Sequence, residues 1–177
     1  MANDSAKYDI VCGWKNAFSA LDTGNALADS PTASTPVGGT GGVVDLSLGN
    51  TIRAPRFIVF RVYGTGADNA TVQVKFDGLL AGPGGVYAAE PLVQVTATLS
   101  TVTGPSTTSV PSTSHRYADT MAVDTGFGGS ESALVKSPAD NLGIAHVCVD
   151  VRGYPQGKFV VDLGSATAAQ VEYRVLP

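Results

Sequence analysis

Charge and reactive side chains are scarce in this chain. Charged residues make up 15% of its 177 positions, below the quarter usual for globular domains, and it has only two histidines, two cysteines and one tryptophan. A formal net charge of −4 gives no broad cationic surface, which argues against general binding to a phosphate backbone. No apolar run reaches the roughly 18 residues that a spanning helix needs, so a membrane is not an expected partner. The opening MANDSAKYDIV lacks a basic stretch followed by an apolar one. No Sec signal is therefore expected, and synthesis in a cytoplasm is. Cys12 and Cys148 have no further cysteine at metal-ligand spacing. In a reducing compartment they read as two buried thiols acting as small apolar side chains.

The same scarcity removes most catalytic schemes. A Ser-His-Asp hydrolase needs a histidine held by a carboxylate and a serine on a shaped turn, and no G-x-S-x-G elbow is present. His115 follows a Ser/Thr-rich stretch and reads as exposed. His146 alternates within a strand pattern and reads as half-buried and hydrogen-bonded. Asp45, Asp77, Asp124, Asp150 and Asp162 lie in or beside strand patterns, and nothing in the sequence pairs two of them as glycoside hydrolysis requires. His115 and Asp119 stand four apart, a metal-ligand spacing that has meaning only on a helix, and no calcium-loop spacing occurs. PVGGTGG, 36 to 42, lacks the Lys-Ser/Thr pair of a phosphate loop. No catalytic residue, cofactor or metal ligand is expected.

What the chain has is glycine, proline and period-two alternation. With 21 Gly and 10 Pro, and runs rich in Val, Thr and aromatics, it reads as an all-β domain with many turns. Strand patterns cover 8–14, 43–48, 57–63, 71–76, 91–99, 116–124, 143–153 and the stretch from 159 to 175, with a further short one at 17–21. In the first, Trp14 reads as a core residue. In 43–48, Val44, Leu46 and Leu48 share the inner face. In 57–63 both faces are apolar, Ile58, Phe60 and Val62 on one and Phe57, Val59 and Tyr63 on the other, with Arg61 the single interruption. That pattern suits an interior strand covered on both sides, or one whose outer face meets a partner. Val93, Val95, Ala97 and Leu99 point inward in the next sheet strand, as do Ala145, Val147, Val149 and Val151 later.

FIVFRVYGTGADNATVQVKF, 57 to 76, and FVVDLGSATAAQVEYRV, 159 to 175, each read as a hairpin around a loop of small residues. Residues 76–90 read as a turn region, and 125–141 as loop with room for one helical turn at 130–136. About nine or ten strands, some wet on one face and some dry on both, match two stacked antiparallel sheets. The expected architecture is one domain, 1–177: a two-sheet antiparallel β-sandwich of jelly-roll type with long loops. The turn-rich 22–42 and the Ser/Thr/Pro-rich 100–114 are its long loops or arms.

Two connections carry residue types favoured at protein interfaces: Arg53 and Arg56 bracketing Pro55, and Arg152 with Tyr154 on a turn. These four form the expected partner surface, the alternative being ordinary strand-end loops with local salt bridges.

The order of VVDLSLGNTIRAPRFIVFRVYGTGADNATVQVKF, and the closing VDVRGYPQGKFVVDLGSATAAQVEYRV, resemble the jelly-roll decoration, or cement, proteins of tailed-bacteriophage capsids. The resemblance implies a non-enzymatic virion protein on the capsid exterior, made in the host cytoplasm. It also implies a homotrimer, the major capsid protein as partner, and arms at 22–42 and 100–114 that order on contact. The other class compatible with the pattern is a carbohydrate-binding or tail-fibre β-sandwich module. Such a module needs exposed aromatic platforms, and one Trp and six Tyr provide few.

Overall fold

A computed structural model describes residues 14–18, 42–46, 56–81, 87–99, 116–124, 134–136 and 143–176. Among them there is no helix. Ten strands form one antiparallel sheet curled into a half-barrel. They are β1 (Lys15–Asn16), β2 (Val43–Asp45), β3 (Phe57–Gly66), β4 (Thr71–Ala81), β5 (Tyr87–Leu99), β6 (Arg116–Val123), β7 (Leu134–Lys136), β8 (His146–Asp150), β9 (Gln156–Asp162) and β10 (Ala166–Leu176). Neighbours run β1-β10-β3-β6-β5-β4-β9-β2, with β8 on β3 beside β6 and β7 on β8. The sheet is continuous through β6. Its first residues, Arg116 and Tyr117, pair with β3, and Ala118–Val123 pair with β5 past a register shift at Thr98/Leu99.

The two stretches expected to be hairpins are not hairpins. β3 pairs along its length with β10, Phe57 opposite Leu176 and Tyr63 opposite Gln170, while β4 pairs with β9, Phe76 opposite Phe159. Each small-residue loop is a corner at which one two-stranded ribbon, β3/β10, folds over and continues as the other, β4/β9. The two corners nest, which explains their composition. Thr65 and Thr167 share a hydroxyl hydrogen bond of 2.9 Å, Thr71 N donates to Ser165 Oγ at 2.9 Å, and Ser165 N donates to Thr71 O at 3.1 Å. A Cβ on Gly66 would lie 2.7 Å from that of Ala70. Gly164 combines a φ of +55° with a Cβ position 2.7 Å from Thr71 O, so only glycine fits.

Alternation places the core as the sequence implied. Val44, Leu46, Ile58, Phe60, Val62, Val93, Val95, Ala97, Leu99, Ala145, Val147, Val149 and Val151 are buried. Phe159 sits at the centre, its ring 5.2 Å from Phe60 across the half-barrel and 4.6 Å from Phe76 beside it. Burying each such ring contributes about 1.5–3 kcal/mol, and the tilted and edge-on geometries suit aromatic quadrupoles.

Other boundaries differ from expectation. β4 and β5 extend through much of the presumed 76–90 turn region. Leu92 is an extra residue opposite the Phe76/Asp77 step, and Pro91 is tolerated beside that bulge. Residues 134–136 are a strand on β8 rather than a helical turn, because pairing at the sheet edge satisfies three backbones that too short a helix would leave open. Of the first two strand patterns only Trp14–Phe18 are described, with Lys15 and Asn16 alone in β1. Segments 22–41 and 100–114 lie outside the described residues.

The two ends of the strand order come together. Gly42 N, just before β2, donates to Ala17 O, just after β1, at 2.6 Å, and Phe159 N donates to Gly42 O at 2.7 Å. Segment 14–18 thus bridges the open side of the half-barrel, with Phe18 turned into the core.

Candidate functional site

The densest collection of polar and aromatic groups lies on the outer face of β10, β3, β6 and β8. Arg61, the interruption in an otherwise apolar face, stands opposite Glu172 in the β3/β10 register. Its Nε donates to Glu172 Oε2 at 2.6 Å, and the Tyr117 hydroxyl donates to the same oxygen at 2.9 Å. The side chains of Arg61 and Glu172 are 12% and 6% exposed. The pair is therefore largely dry, and each member depends on the other to avoid a buried lone charge.

Above it lies Trp14. The Arg61 guanidinium is 4.2 Å and that of Arg174 5.1 Å from the indole, and Arg61 is also 4.8 Å from the Tyr117 ring. His146 of β8 meets the indole at 5.6 Å. The expected core role of Trp14 is thus corrected: it is half-buried and outside, held by two cations against the sheet. Tyr63, next to Tyr117 at 5.4 Å between rings, is buried. Burial, then the Glu172 carboxylate, pushes its phenol up to about 12.

Gln170, 1% exposed, continues this face toward the strap. Its Oε1 accepts from Phe18 N and Val171 N, each at 3.1 Å, and its Nε2 donates to Phe18 O at 3.0 Å. One carboxamide thus takes the place of a strand partner for Phe18, where the chain leaves β1 and crosses into the core.

The expected interface residues divide into separate places. Arg53 lies outside the described residues. Arg56 is exposed, with its guanidinium 5.2 Å from the Phe57 ring and its carbonyl accepting from Val151 N at 2.9 Å. Arg152 is exposed and grips Asp150, its Nε 2.9 and 2.8 Å from the two carboxylate oxygens. That hydrogen bond holds Asp150 below the usual carboxylate range, with Arg56 contributing through its charge. Arg56, Asp150 and Arg152 therefore form one exposed cluster. Tyr154 turns away from it. Its ring covers Gly78 of β4 so closely that a Cβ there would overlap it, and its hydroxyl donates to Glu90 Oε2 at 2.7 Å. Burial first, and then Glu90, push that phenol up to about 12.

The remaining candidates are dispersed. His115 and Cys12 lie outside the described residues. His146 packs on Trp14, and Cys148, expected to be buried, is half-buried on the outer face of β8, where burial and then Asp150 push its thiol up. Asp124 accepts from Gln94 at 3.0 Å, and Asp162 accepts from Gly164 N at 3.0 Å to close the β9–β10 corner. Asp45 is exposed on β2. Asp77 is 1% exposed, and its Oδ2 lies 3.1 Å from Lys75 Nζ. Among the described residues no three His, Cys, Asp or Glu side chains come together as a metal cluster, and no helix is long and apolar enough to cross a membrane.

Sequence reasoning passed over the Arg61–Glu172–Trp14 cluster. Its signal was the lone Arg61 interrupting an otherwise apolar face of β3, and the row of Gln170, Glu172 and Arg174 on one face of β10. Comparison with protein-family models, curated proteins and solved structures gave no match.

Proposed function

We propose that this chain is a non-enzymatic virion structural protein of a tailed bacteriophage, binding the outside of the assembled capsid as a decoration protein. In this reading it acts as a homotrimer, touches the major capsid protein, and is made in the host cytoplasm without a nucleic-acid or membrane partner. Its finer architecture is a jelly-roll sandwich, supported by the way ribbon β3/β10 folds over to become β4/β9.

The observation that carries the reading is the closed Arg61–Glu172–Tyr117 network with Trp14 above it. The outer face that holds the most ionisable groups ties Arg61, Glu172 and Tyr117 to one another and fastens segment 14–18 across the half-barrel. Such a sheet is a rigid support, suited to displaying loops and the exposed Arg56–Asp150–Arg152 cluster to a partner rather than to moving protons on a substrate.

The test is co-sedimentation of the purified chain with undecorated capsids, together with its mass by analytical ultracentrifugation. Trimers that pellet with capsids are expected, with binding lost in the Arg56→Glu/Arg152→Glu variant. A monomer that ignores capsids but binds on a glycan array would replace this reading with the carbohydrate-binding one.

A further inference from the structure

On the face of the sheet formed by β4 and β9, one carboxyl group is placed unlike any other described acid. Asp77 is 1% exposed, and its Oδ1 is buried without a hydrogen-bond partner. A buried carboxylate oxygen left this way is costly. Directly opposite in the β4/β9 register is Lys158, and two residues along β4, on the same face, is Lys75. Lys75 Nζ lies 3.1 Å from Asp77 Oδ2, while the half-buried Lys158 forms no ion pair among the described residues. Opposed residues of an antiparallel pair hold their Cβ atoms about 4.5–5.5 Å apart, within reach of a four-carbon lysine stem.

We infer that the Lys158 amine and the Asp77 carboxyl condense into an isopeptide bond that ties β4 to β9. Lys158 Nζ attacks Asp77 Cγ, a C–N bond forms and the Cγ–Oδ2 bond breaks. Oδ2 leaves as water, carrying the carboxyl proton and one proton from the attacking amine. Lys75 relays that second proton, giving one to the leaving oxygen and recovering one from nitrogen. No oxidant, metal or co-reactant is needed. The reaction requires a neutral amine and a neutral acid, and burial favours both forms here. It pushes the Asp77 carboxyl up against the opposing pull of Lys75 and Lys158, and it pushes the Lys158 amine down against the pull of Asp77. The inference does not depend on the proposed virion role.

Intact mass spectrometry of the full chain, folded and then denatured, tests it. The expected mass is that of the sequence less one water. Proteolysis should release a branched peptide joining a β4 fragment to a β9 fragment through Asp77 and Lys158. Lys158→Arg and Asp77→Ala should each restore the full mass, and Lys75→Met should slow the water loss after refolding. Full sequence mass in the folded wild-type protein overturns the inference, whatever the variants do. So does a water loss without a branched peptide, the result expected of a cyclic imide at the Asp77–Gly78 step or of a bond to Lys75.

Discussion

The Gln170 carboxamide offers the sharpest test of how the half-barrel is closed. Gln170→Glu keeps the size and the acceptor oxygen that serves Phe18 N and Val171 N. It replaces the donor on Phe18 O, 3.0 Å away, with a second oxygen. At neutral pH this removes one hydrogen bond, leaves a buried carbonyl unpaired and buries a charge at a position 1% exposed. An unpaired buried group costs about 1–3 kcal/mol and an uncompensated charge more, so a loss of about 3–4 kcal/mol is expected. Protonation reverses most of it, because the acid form carries an O–H that can donate to Phe18 O. The introduced carboxyl therefore has a folded-state pKa above its unfolded value of about 4.3. The folded variant retains its proton longer, so its stability relative to wild type is greatest below that value and falls as pH rises through the folded pKa. Urea unfolding followed by the fluorescence of the single tryptophan, Trp14, reads this directly. Gln170→Ala should be destabilised at every pH, whereas Gln170→Glu should approach wild type near pH 4. Equal deficits for Gln170→Glu at pH 4 and pH 7 would refute the assigned role of the carboxamide.

Three further outcomes are expected. Arg61→Met should cost about 3–5 kcal/mol by stranding the Glu172 carboxylate, while the double variant Arg61→Met/Glu172→Met should cost well under the sum of the single changes in denaturant titrations. Gly157→Ala places a Cβ into the ring of the fully buried Phe76 and should cost about 1–3 kcal/mol, whereas Gly153→Ala meets nothing within 4 Å and bears only its φ of +92°, a strain of about 1 kcal/mol, as compared by thermal melts. Spectrophotometric titration should find the Tyr63 and Tyr154 phenols ionising at about 12, above the ordinary value of about 10. Unfolded phenols lose protons first, so stability falls as pH rises through that interval, and Tyr154→Phe should remove one phenol from the late-titrating group, which Tyr173 also joins through its burial.

The alternation of Val93, Val95, Ala97 and Leu99 was enough to assign strand and inner face, because a side-chain period of two is a local property. Partners were not legible in the same way. Phe57–Phe76 has the composition of a hairpin, and only the folded molecule shows that its small residues serve close contact between two corners rather than a tight reversal. Arg61 was legible as the one interruption of an apolar face, but its partner Glu172, 111 residues away, was not, since register between distant strands leaves no mark on either one alone. Gln170 is harder still: its value lies in a backbone amide 152 positions away. Arg56 and Arg152 were legible as surface arginines, but that both act on Asp150 was not.

The folded-over ribbon also sets the order in which the molecule can be made. β3 does not find its long partner until β10 has left the ribosome, and although β4 can pair early with β5, its other edge waits for β9; the bond joining Thr65 to Thr167 spans 102 residues. Such distant closures are slow relative to local ones. For most of its synthesis the nascent chain therefore carries a long apolar strand, β3, and one edge of β4 without their distant partners, so its yield in a cell should depend on chaperone capacity and translation speed more than on the stability of the finished fold.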